Sequence, residues 1–118
     1  MISFTKNGDE LIVEGNKVKF PYPIYKAEEY NELVIVLLRF RNNDNPLDFT
    51  NALYGVSNKG QIVWKMENVQ RVLGTYQPHP LVGFHIGDNK LIAFDHCARR
   101  FTIDTKDGRI LSYEVGSW

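Results

Sequence analysis

Four side chains in the second half of the chain offer the most reactive chemistry: His79, His85, His96 and Cys97. Imidazole nitrogen and thiolate sulfur are the standard ligands of zinc and similar ions, so three histidines with an adjacent cysteine invite a metal site. The same groups invite a cysteine nucleophile, which needs an imidazole within hydrogen-bond reach to take its proton. Spacing argues against both. His79 stands in a loop between Pro78 and Pro80, and His96 and Cys97, read as strand neighbours, point to opposite faces. No H-x-x-x-H or C-x-x-C pairing occurs. The segment "LVGFHIGDNKLIAFDHC" reads as a hairpin turning at Gly87 to Asn89, and counting outward puts His85 beside Leu91, several residues short of Cys97. The expectation is therefore three unrelated histidines and a small buried cysteine, with no metal, no cofactor and no catalytic residue. The competing reading is a small His/Cys-based enzyme or metal protein.

Binding chemistry gathers elsewhere. "YKAEEYNE" places Glu28, Glu29 and Glu32 beside Tyr25 and Tyr30, and the loop "RNNDNPLDFTN" (residues 41–51) adds Asp44 and Asp48. An acidic surface with tyrosine anchors suits a cationic protein partner, because complementary charge speeds association and aromatic area supplies hot spots. These seven residues are the expected partner-binding site. Arg99 and Arg100 could clamp an acidic group, although adjacent strand residues more simply serve as solvated charges. Tyr22, Phe49 and Tyr76 also fall outside the strand-like runs and would mark an interface if they surface together, and the loop "GTYQPHP" (residues 74–80) is a further natural place for a binding surface. None of the nine glycines falls in a G-x-G-x-x-G or Walker pattern, so no phosphate cradle is present.

The elements that position these groups are strands. "EGNK", "SNKG", "IGDNK" and "DTKDG" separate β-rich runs, and their Gly, Asn and Asp tolerate the positive φ of tight hairpins. Short strands at this spacing predict an all-β, mainly antiparallel meander closing into a small barrel or a sandwich. "LVIVLL" (residues 33–38) lacks polar alternates, so it should be a central strand covered on both faces. In "QIVWKM", Ile62, Trp64 and Met66 should share one buried face. One or two helical turns are expected, at Tyr25 to Leu33 and at Met66 to Gly74.

A chain of 118 residues is a single domain, 1–118, long enough to bury a core. Fourteen basic and fourteen acidic side chains cancel, which disfavours a nucleic-acid binder. The single cysteine excludes an intramolecular disulfide and suits a reducing compartment, so a cytoplasmic location is expected. No apolar segment approaches the ~20 residues of a membrane span, and the first residues do not read as a secretory signal.

"NALYGVSNKGQIVWKM" resembles the inner hairpin of a β-propeller blade, in a chain too short for a propeller. "VSNKGQIV" and "IDTKDGRIL" form a weak internal repeat, which similar turn chemistry in two hairpins explains. The hairpin from Asn51 to Trp64, the strand Lys90 to Phe94 and the hairpin Ile103 to Ile110 together resemble a group of small single-domain bacterial β proteins similar to toxin immunity proteins. That resemblance implies a non-catalytic module that binds and neutralises a toxin, and a basic toxin domain is the partner that the acidic surface would suit. A structural or adaptor interaction domain is the alternative.

Overall fold

Residues 1–69 and 79–115 are described by a computed structural model, and they hold eleven strands and one 3-10 turn. The strands run as three consecutive meanders. β1 (Phe4–Asn7), β2 (Glu10–Val13) and β3 (Asn16–Lys19) form the first sheet. β4 (Ile24–Tyr30), β5 (Leu33–Leu38), β6 (Leu53–Ser57) and β7 (Ile62–Lys65) form the second. β8 (Leu81–Gly87), β9 (Lys90–Asp95), β10 (Arg99–Ile103) and β11 (Ile110–Val115) form the third. Every pairing is antiparallel and joins strands adjacent in sequence. Two-residue turns with positive φ at both positions, Asn31–Glu32 and Asp88–Asn89, close the β4–β5 and β8–β9 hairpins with the twist such hairpins need.

The second sheet is the middle layer of a three-sheet sandwich. Val34, Val36 and Leu38 of β5 pack with Leu11, Val13, Val18 and Phe20 of the first sheet and its following segment. Ile35 and Leu37, from the opposite face of the same strand, pack with Phe84, Leu91, Ala93, Phe101 and Ile103 of the third. β5 is thus apolar on both faces because both are covered. Among the described residues no strand pairing joins one sheet to the next, so the sheets stack rather than close into a barrel. No helix of the described residues is long and apolar enough to cross a membrane.

Trp64 joins the middle and third sheets. Its indole covers Gly55 on the neighbouring strand and lies against Gly108, and Nε1 donates to the Thr105 carbonyl at 2.8 Å. Met66 is buried in the same cluster, but Ile62 is not. The register shifts between Gly55 and Val56, leaving Val63 as an extra residue, and this bulge turns Ile62 to the opposite, exposed face.

The helical turn expected over residues 25–33 is instead strand β4. A segment this short gains little as an isolated helix, whereas pairing from Lys26↔Leu37 to Tyr30↔Leu33 satisfies its backbone on β5. Helical geometry occurs within the 41–51 loop, as a 3-10 turn over Pro46–Phe49 capped by Asn45, whose Oδ1 accepts from Leu47 N at 3.1 Å. The second expected helical turn runs past Val69, and its residues 70–74 lie outside the described residues, as does Tyr76.

Candidate functional site

The β9–β10 connection is shaped by Asp95. This carboxylate is buried, and its Oδ1 accepts from the backbone N–H of Cys97 (2.9 Å) and of Arg99 (3.1 Å). Oδ2 takes the Arg99 Nε–H at 2.7 Å, a bond sheltered from solvent screening. The turn closes through Ala98 N–H to the Asp95 carbonyl, with Ala98 at φ +68, a conformation costly for any residue with a Cβ. His96 and Cys97 are therefore the exposed tip of a tight turn, not successive strand positions.

On the other strand of the hairpin, Leu81 pairs with Asp95. Two residues further out, His79 comes alongside Cys97, with Nδ1 3.4 Å from Sγ. The His79 and His96 rings meet edge-to-face with centroids 4.8 Å apart. One ligand atom from each of His79, His96 and Cys97 lies within 4.8 Å of the others. Partial burial lowers the His79 pKa below the ordinary histidine value; the charges of Arg99 and His96 act in the same direction and Asp95 opposes them. The lowered value favours the neutral imidazole, the form that can offer a ring nitrogen lone pair.

This arrangement corrects two readings of the sequence. Cys97 is exposed rather than buried, and the histidines are not all unrelated. His85 pairs with Ile92, one residue from the expected Leu91, and stays apart from the cluster.

A shallow groove of about 530 Å³ runs over the outer face of the third sheet, lined chiefly by Val82, His85, Ile92, Phe94, His96 and Arg100. Its shape depends on Gly83, whose missing side chain leaves room for the Phe94 ring across the strand pair. The register slips between Leu81 and Gly83, and the extra residue, Val82, is 41% exposed. Val82 and His96 also line a second depression of about 370 Å³ with Phe40, Pro46 and His79. The cluster thus sits where the two hollows meet. The outer face of the first sheet is different: Thr5, Asn7, Glu10, Lys17 and Lys19 surround a single apolar residue, Ile12.

The expected acidic site is dispersed. Along β4, Lys26, Glu28 and Tyr30 face the third sheet's side, whereas Ala27 and Glu29 face the first sheet's side. Glu28 lies 3.8 Å from Lys26, and Glu29 accepts from the backbone N–H of Ile2 at 2.9 Å. Tyr30 packs on the core between the second and third sheets, and Glu32 sits in the β4–β5 turn with φ +64. Tyr25 is exposed, with the Arg39 guanidinium 5.6 Å from its ring. Asp44 caps its own loop by accepting from Arg41 N, and Asp48 accepts from the Tyr22 hydroxyl. Most of these charges hold local structure. Arg99 and Arg100 do not form a clamp either, because Arg99 is buried against Asp95 and Arg100 is on the outer face. Of the "GTYQPHP" loop, residues 74–78 lie outside the described residues.

The chain belongs to the family described as Domain of unknown function (DUF7957), whose model matches residues 1–115. No curated protein matches the chain.

Proposed function

We propose that this protein is a non-catalytic protein-binding module that receives its partner on the outer face of the third sheet, as an immunity-type inhibitor of a bacterial toxin acting in the cytoplasm. The observation that supports it is the asymmetry of the sandwich. One outer face is polar, while the other presents Val82, Ile92 and Phe94 in an open groove bordered by His85, His96 and Arg100. An apolar centre within a polar border is the composition of a protein interface, and a groove of this size accepts an aromatic or aliphatic anchor from a partner. The cytoplasmic assignment rests on the single cysteine, and the toxin class on the likeness of the hairpins to immunity proteins.

The test is capture of partner protein from the source cell on immobilised wild-type protein, Val82→Glu and Ile12→Glu. Each variant places a charge on an exposed apolar position, at opposite ends of the sandwich. The reading expects one stoichiometric species, identified by mass as a toxin, held by wild type and Ile12→Glu and lost by Val82→Glu. Equal retention by both variants removes this face from consideration. Retention of a partner that shows no toxicity when expressed without this chain removes the immunity assignment and leaves an adaptor.

A further inference from the structure

We infer that His79, His96 and Cys97 form a binding site for a zinc-class transition-metal ion, at the junction of the two hollows on the third sheet. The ligand set points to the metal class. Two imidazoles and a thiolate match Zn²⁺ and its close analogue Co²⁺, whereas Ca²⁺ and Mg²⁺ require oxygen ligands.

Geometry supports it as well. With Zn–S near 2.3 Å and Zn–N near 2.0 Å, sulfur and nitrogen ligands on one tetrahedral ion stand about 3.5 Å apart. The Cys97 Sγ to His79 Nδ1 distance is 3.4 Å. The whole set spans no more than 4.8 Å, and His96 is an exposed side chain.

The backbone around the ligands is fixed independently of any ion. Asp95 binds the Cys97 and Arg99 amides, the left-handed Ala98 completes the turn, and Pro80 restricts His79 to extended conformations. Ordering the site on binding therefore costs little. Loading the ion displaces the thiol proton of Cys97 to solvent and leaves both imidazoles neutral. Three protein ligands leave the fourth tetrahedral position to water or to a group of the docked partner, the pattern of an open site.

The test is titration of the purified full chain with Co²⁺ alone, under a non-chelating reductant that keeps Cys97 as a thiol. The expected result is one equivalent bound, with a thiolate-to-cobalt charge-transfer band and intense tetrahedral visible bands, displaced by Zn²⁺. Cys97→Ser should abolish the charge-transfer band. His79→Gln and His96→Gln should each weaken binding at least about tenfold, and His85→Gln should leave it unchanged. Thermal unfolding of each variant checks the fold, and slower alkylation of Cys97 in wild type on adding Zn²⁺ gives a reading that needs no variant. No stoichiometric binding, no protection of Cys97, or an unchanged spectrum in Cys97→Ser overturns the inference.

Discussion

Gly55→Ala, made in wild type and in Trp64→Ala, tests the joint between the middle and third sheets. The Cβ added at Gly55 would fall inside the Trp64 indole, which is itself held by its bond to Thr105 and by contact with Gly108. The ring has nowhere cheap to go, so Gly55→Ala should cost about 1–3 kcal/mol as overpacking. Trp64→Ala removes a ring that is 6% exposed and should cost about 3–5 kcal/mol. With the ring gone the three closest contacts of the added methyl are removed, and the lower entropy of the unfolded chain should make the same Gly55→Ala neutral or stabilising by about 0.4–1 kcal/mol. The two substitutions should therefore couple by about 1–4 kcal/mol, above the few tenths seen for independent sites. Urea unfolding followed by far-UV circular dichroism measures all four proteins. Gly108→Ala is the internal control: its φ of +79 and the nearby Lys65 carbonyl make it destabilising even without the indole. Additive costs for Gly55→Ala and Trp64→Ala would refute the assignment of the indole to the space over Gly55.

Asp95→Ala should destabilise by about 3–5 kcal/mol, because it strips a buried arginine of its carboxylate and two amides of their acceptor; Asp95→Asn, which keeps the amide acceptor, should cost about half as much in the same urea titration. Ala98→Gly should be stabilising by about 0.5–1 kcal/mol, since glycine adopts φ +68 without a Cβ penalty, and a lower urea midpoint would refute the strain assigned to this turn. Burial raises the Tyr54 pKa above its ordinary value of 10.0, so the folded state disfavours the phenolate. The resulting contribution to stability is present below pH 10.0 and is lost as pH rises through the higher folded value, and Tyr54→Phe should make the urea midpoint fall less steeply over that range.

The strand plan was legible because its signals are local. Paired Asn and Asp residues mark hairpins that need positive φ, and the unbroken apolar run from Leu33 to Leu38 marks the strand buried on both sides. β4 was not legible. It is an edge strand with half-exposed residues on both faces, so "YKAEEY" shows no period of two and its Ala, Lys and Glu read as helix formers. The bulge at Val63 escaped for a related reason: "QIVWKM" alternates cleanly, and only the partner strand shows that one residue is extra. Charge clusters in sequence were a poor guide to a surface, because alternation along β4 sends Glu28 and Glu29 to opposite sides of the sheet.

The ligand cluster was closer to legible than its spacing suggested. Counting outward from the Asp88–Asn89 turn correctly separates His85 from Cys97, but the count had to continue to the open end of the hairpin. There Leu81 pairs with Asp95, and two more steps set residue 79 against residue 97. Local motifs such as H-x-x-x-H describe sites built on one helix, whereas a hairpin builds a site from positions whose numbers sum to a nearly constant value. What the count alone cannot supply is the turn. Asp95 ends the strand by taking the amides of Cys97 and Arg99, which exposes His96 and Cys97 together instead of sending them to opposite faces. The one slip in the count, at Val82, also pushes an apolar side chain into solvent beside the cluster. The bulge thus absorbs Val82 while keeping His79 in line with Cys97, and it supplies one of the two residues shared by both hollows, His96 of the cluster being the other. Deleting Val82 would restore regular pairing with Leu81 still opposite Asp95; it should leave His79 opposite Cys97 and keep cobalt binding, while removing the apolar side chain shared by the hollows and weakening partner capture.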